Sequence, residues 1–194
     1  SCIIYSLRAK YKFKRKEGEL APLANSLISN FVGECKQKKV QIVITETVKE
    51  ESDQKLLRAV NRYFDKAGIF SHPLRFQVFL KCRKRLIDLF QYCKCITVSN
   101  PKVDIVRNIY KEFAKKPSLR DKLVKLKEKK KRHSILPSET DMKILAEAAT
   151  LAENNNVVFI TDDGDYLEFK DELEKKLHIR ICAVLEVQHL NMYN

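Results

Sequence analysis

Apolar side chains along this chain recur at helical spacing in some stretches and alternate at strand spacing in others, and the changes between the two mark out its elements. CIIYSL, residues 2–7, opens the chain as a strand, and Ser1 is not a start methionine, so this strand is expected to be incomplete here. Leu23, Leu27, Ile28, Phe31 and Val32 share one helical face over residues 21–35. KVQIVIT, residues 39–45, alternates and is rich in β-branched side chains, which predicts a second strand. Val48, Leu56, Leu57, Val60 and Phe64 mark the helix after it; Thr47 and Glu50 have the spacing of a capping box, Gly68 closes the helix and Pro73 is a second breaker.

Residues 74–92 read as a further amphipathic helix, with Leu80, Leu86, Ile87 and Phe90 inside and Arg75, Lys81, Arg83, Lys84 and Arg85 outside. CKCITVSNP then gives a short strand stopped by Asn100 and Pro101. Val103, Val106, Ile109, Tyr110 and Phe113 carry a helix over 102–115, and Pro117 and Ser118 restart it. Leu119, Leu123 and Leu126 keep helical spacing in the lysine-rich segment that follows. Residues 137–166 read as a capped helix, an asparagine turn and a buried strand ending in carboxylates. Leu167, Phe169, Leu173 and Leu177 predict one more helix, and HIRICAVLEV a last strand. This alternation favours a three-layer α/β/α fold with a mostly parallel sheet, in one domain over residues 1–194, elaborated by basic helices at about 74–132.

The net charge of +13 changes the picture, because a field of that sign favours a polyanionic partner. The charge is concentrated: residues 111–132 hold eleven Lys or Arg against Glu112, Asp121 and Glu128. The leucine spacing makes this stretch a basic helix rather than a disordered tail, and Lys122, Lys125, Lys127, Lys129, Lys130, Lys131 and Arg132 are its candidates for holding a nucleic-acid backbone. Residues 10–16 interleave Tyr11 and Phe13 with basic residues, a pattern that suits stacking and phosphate contact as well as a solvated loop. No apolar run approaches the roughly 18 residues of a membrane span, and the basic residues near the N-terminus follow the apolar ones, the reverse of a secretory signal. A soluble intracellular protein is expected, cytoplasmic, or nuclear in a eukaryote. The six cysteines are scattered and read as reduced; Cys93 and Cys95 lack the second pair or the histidines of a zinc site and read as buried strand residues.

Carboxylates just beyond parallel strands, or at the starts of the next helices, suit hard divalent cations, which take oxygen ligands. Glu51, Asp141, Asp163 and Asp165 stand at such places. Each also has a bland reading. Asp141 has the spacing to complete a capping box with Ser138, Asp162, Asp163 and Asp165 around Gly164 suit a turn, and Glu51 suits a solvated first helical turn.

Taken in order, ITETVKEE, LPSETDMKILAEAATLAE and VVFITDDGDY resemble the second, third and fourth signatures of the PIN-domain ribonuclease family. The resemblance picks out Glu51 after Val48, Asp141 ahead of Ile144, Leu145, Ala146, Ala148 and Ala149, and Thr161, Asp163 and Asp165 at the end of the strand. It implies a sheet of order 3-2-1-4-5 and a Mg²⁺- or Mn²⁺-dependent endoribonuclease active in RNA processing or decay. In it Glu51, Asp141 and Asp163 bind metal, Asp165 serves a second or water-mediated position, and Thr161 and Ser138 support the site. SCIIYSL matches the residues that follow the family's first aspartate, so that carboxylate falls one position before Ser1, which supports it, or is lacking. Two alternatives remain at this point: a PIN-fold RNA-binding module whose metal site has decayed, and a toxin whose antitoxin partner fills the acidic pit with an arginine. The resemblance further implies homodimers or a partner in an RNA-processing complex, with LVKLKEKKKRHSILPSETD forming a protruding helical pair.

Overall fold

A strand that runs directly into a helix opens the described part of the chain, which in this computed structural model comprises residues 41–183 and the single positions Gly33, Gln37 and Glu186. The expected strand at 2–7, the basic stretch at 10–16, the helix at 21–35 and Ser1 lie outside the described residues. The described elements fall into two compact units, one ending at Ile96 and one spanning Thr97–Ala183.

In the first unit, β1 (Val43–Thr45) passes without a loop into α1 (Glu46–Lys66); α2 (His72–Phe90) returns the chain to β2 (Lys94–Ile96). The two strands pair in parallel with Ile44 opposite Cys95, so the helical hairpin is their crossover. Leu56, Val60 and Phe64, a turn apart on α1, bury against Cys82 and Leu86 of α2. Arg83 reaches across the hairpin to the Asp53 carboxylate, with Nη2 at 3.0 Å. Four expectations need correction. Leu80 and Ile87, expected inside α2, are exposed, because the buried side of this helix is the one carrying Cys82 and Leu86. The cap of α1 is Thr45, whose Oγ1 accepts from the Val48 amide at 3.3 Å, because the end of β1 already supplies the extended backbone a cap requires; Thr47 is buried inside the helix, so no box forms with Glu50. Pro73 does not break a helix but lies in the first turn of α2, where its missing N–H costs nothing. Cys95 is exposed rather than buried, because β2 is only three residues long and turns this position outward, where the thiol donates to Glu46 Oε1 at 3.1 Å. Gly68 behaves as expected, following α1 with φ of 67°.

The second unit contains α3 (Val103–Lys115), α4 (Pro117–Lys130), α5 (Glu139–Ala152), β3 (Val158–Ile160), α6 (Gly164–Leu167), α7 (Lys170–Leu177) and β4 (Arg180–Cys182). β3 and β4 are parallel, with Phe159 opposite Ile181. α3 packs against both α4 and α5. Its buried stripe, Val106, Ile109, Tyr110 and Phe113, is the one the periodicity predicts. Phe169 stacks on Phe113 at 5.3 Å and meets Tyr110 edge-on at 5.8 Å. The single helix expected after Tyr166 is broken at Glu168 and Phe169, because the Phe169 ring turns wholly into this aromatic core. The basic segment does not stand away from the fold as a protrusion: Leu119, Leu123 and Leu126 of α4 enter the same core, each such burial contributing about 2 kcal/mol. The architecture is thus mixed α/β and rich in helix, with two two-stranded parallel sheets among the described residues; a five-stranded sheet is not seen among them.

Candidate functional site

The carboxyl end of β3 delivers the acids. Thr161 continues the strand by donating its amide to the Cys182 carbonyl at 2.9 Å, and its hydroxyl accepts the Asp163 amide at 3.1 Å. Asp163 then caps α6, its carboxylate accepting the Asp165 amide at 2.8 Å. This tight succession faces Asp163 partly to solvent, with 19% of its side chain exposed, and buries Asp165 completely.

A buried carboxylate needs compensating charge and hydrogen bonds. Asp165 finds both at the end of α4. Arg132 donates to its two oxygens through Nη1 at 3.0 Å and Nη2 at 2.9 Å, the bidentate fork that guanidinium geometry favours. Lys130 donates to Asp165 Oδ2 and to Asp163 Oδ1. Both side chains can return to the same turn because the chain reverses between them. Lys131 is left-handed, with φ of 52°, and the Arg132 amide donates to the Lys127 carbonyl at 3.0 Å while the Lys131 amide donates to Glu128 at 3.1 Å, a Schellman ending. Gly164 lets α4 lie close, since a Cβ there would meet Leu126 Cδ2 at 3.0 Å. Burial pulls the Lys130 ammonium towards a lower pKa, but its hydrogen bonds to Asp163 and Asp165 and their charges outweigh this and leave it above the ordinary lysine value.

Asp141 stands at the start of α5. Its carboxylate accepts the Ser138 amide at 3.2 Å and hydroxyl at 2.6 Å, while the Ser138 hydroxyl accepts the Asp141 amide at 3.1 Å. The capping box therefore forms, and the acid's local duty is met by its own helix. Two tyrosines to which the sequence assigns no role at the site, Tyr110 of an apolar stripe and Tyr166 beside Asp165, bond to the backbone of the acids. Tyr166 donates to the Asp141 carbonyl at 3.0 Å, and Tyr110 donates to the Asp165 carbonyl at 2.5 Å. The Tyr110 hydroxyl is held well above its usual pKa, first by burial and then by the charges of Asp165, Asp163 and Asp141, with Arg132 opposing them. The signal available in the sequence is weak: a tyrosine within an apolar stripe needs a hydrogen-bond partner once buried.

The remaining candidates fall as follows. Glu51 lies on α1 in the first unit and pairs with Lys55 at 2.6 Å. Lys122 does not face solvent alone but donates to the Glu168 carbonyl at 2.8 Å, with its ammonium 5.8 Å from the centre of the Phe169 ring. Lys130 and Arg132 serve the acids as described. Lys125, Lys129 and Lys131 are exposed and Lys127 is half-buried.

Oxygen-only donors of high charge are what a hard divalent cation takes, and Mg²⁺ commonly uses one or two carboxylates with waters and substrate phosphates. Asp163, partly exposed and next to Asp165, fits that mode. Among the described residues no three His, Cys, Asp or Glu side chains converge closely enough to hold a metal ion by themselves. No helix among the described residues is long and apolar enough to cross a membrane. No family model, curated protein or solved structure matches the chain.

Proposed function

We propose that this protein is a PIN-type endoribonuclease that uses Mg²⁺ or Mn²⁺, with Asp141 and Asp163 as carboxylate ligands. The observation that supports it most is the turn after β3, where Asp163 and Asp165 share the Lys130 ammonium beside a lysine-rich helix end. The strand pairs support it too. β1 pairs in parallel with β2, and β3 with β4, as the strands of a mostly parallel sheet do. In this reading the three-layer fold carries the acids at one sheet edge, where open α/β sheets bind their ligands.

A divalent ion held there supplies an activated water and stabilises the leaving oxygen of an in-line displacement at phosphorus. The chain's own groups do the rest. Lys125 and Lys129 attract and hold the phosphodiester backbone. Asp163 offers its partly exposed carboxylate, which accepts the Asp165 amide at 2.8 Å, while the Thr161 hydroxyl holds the Asp163 backbone amide at 3.1 Å. Arg132 and Tyr110 hold Asp165, and through it the turn, without touching substrate.

The test is Mn²⁺-dependent cleavage of a structured RNA by this protein. Loss of cleavage on Asp141→Asn and on Asp163→Asn is expected; cleavage indifferent to both substitutions sinks the assignment. A second reading, a non-catalytic PIN-fold RNA-binding module, is favoured by the complete ion pairing of Asp165 with Arg132. It predicts steeply salt-dependent RNA binding that is indifferent to EDTA and to Asp163→Asn.

A further inference from the structure

The two cations on the acidic turn are held in unlike ways. Arg132 has 15% of its side chain exposed and grips the wholly buried Asp165 with a planar fork. Lys130 has 30% of its side chain exposed, ends a helix, and bridges Asp163 and Asp165 with one flexible ammonium. Withdrawing Arg132 strands a buried carboxylate. Withdrawing Lys130 does not, because Asp165 keeps both bonds to Arg132 and Asp163 keeps the Asp165 amide and its access to solvent.

We propose that Lys130 is a displaceable internal counter-ion: it neutralises Asp163 in the metal-free protein, and a divalent cation takes its place and frees the ammonium for an RNA phosphate. The inference rests on the metal-dependent reading above. Charge balance supports the exchange. Asp163 and Asp165 are balanced by Lys130 and Arg132, so a divalent ion makes Lys130 superfluous there, and the released lysine joins exposed Lys129 and Lys131 on the same helix end. The left-handed Lys131 stays in place during the exchange, since its own bonds to the helix end are made by backbone.

The experiment measures Mn²⁺ binding by calorimetry to the full chain and to its Lys130→Gln, Lys130→Arg and Asp163→Asn variants. Lys130→Gln is expected to bind Mn²⁺ about two- to fivefold more tightly, the worth of one partly exposed ion pair, with Lys130→Arg at or below the parent affinity. A second measurement needs no variant: acylation of lysines in the parent protein, read by mass spectrometry, should rise at Lys130 on adding Mn²⁺ and stay level at Lys125. Equal Mn²⁺ affinities for parent and Lys130→Gln, or unchanged Lys130 labelling at saturating Mn²⁺, overturn the exchange; if Asp163→Asn still abolishes binding, the metal-dependent reading survives that result. Absence of Mn²⁺ binding in every form removes both.

Discussion

Arg132 and Asp165 form a bidentate ion pair, at 2.9 and 3.0 Å, around a carboxylate with no exposed surface. The pair joins the end of α4 to the turn after β3 across 33 residues of sequence. Because one partner cannot be withdrawn without leaving a charge in the protein interior, the turn's conformation depends on the helix end.

Asp165→Ala should therefore destabilise the protein by about 3 kcal/mol, and Arg132→Met alone by a similar amount. Urea denaturation of both single variants and the double variant tests this: a double variant less damaged than the sum of the singles shows the coupling, and strict additivity refutes it.

Tyr110→Phe removes the hydroxyl that donates to the Asp165 carbonyl and should cost about 1 kcal/mol at neutral pH. The tyrosine also gives a pH signature. Its folded pKa is raised above the ordinary value, so the unfolded chain loses this proton first. The stabilisation is present in full below about pH 10 and is lost as pH climbs from there towards the folded value. Stability curves of the parent should fall more steeply in that alkaline window than those of Tyr110→Phe; parallel curves contradict the burial of an un-ionised hydroxyl.

Lys131 occupies a left-handed position, which costs an ordinary side chain about 1 kcal/mol. Lys131→Gly should recover that amount, seen as a higher urea midpoint with an unchanged slope. A lower midpoint would mean that the Lys131 side chain, not the backbone turn, holds this corner.

The exposed lysines of α4 differ from the engaged ones in what they predict for RNA binding. Lys125→Gln and Lys129→Gln should each lower the slope of log affinity against log salt by about 0.7 on a single-stranded RNA, one phosphate contact apiece. Lys122→Gln should leave the slope unchanged and reduce stability, because its ammonium is tied to Glu168 and Phe169. Equal slopes for all three variants would show that the α4 lysines do not touch RNA.

What was legible in the sequence was local. The stripe from Val106 to Phe113, the leucines of α4, the Ser138 cap with Asp141 and the acid turn at Asp163 and Asp165 all follow from helical periodicity or from side chains reaching two to four residues along the chain. Even here Thr45 displaced Thr47 as a cap, because the end of a paired strand set the backbone that the capping residue needs. Tertiary structure decided the partners. Lys122 and Lys125 lie three apart in one basic helix and both are exposed, yet the Lys122 ammonium is tied to the Glu168 carbonyl. Lys130 and Arg132 read as candidates for phosphate, but the packing of α4 beside Gly164 brings them to the buried Asp165 carboxylate instead. A charged side chain's role depends on which opposite charge is within reach once helices have packed, and that distance is fixed by contacts more than thirty residues apart, which no local pattern of hydrophobic and polar positions encodes.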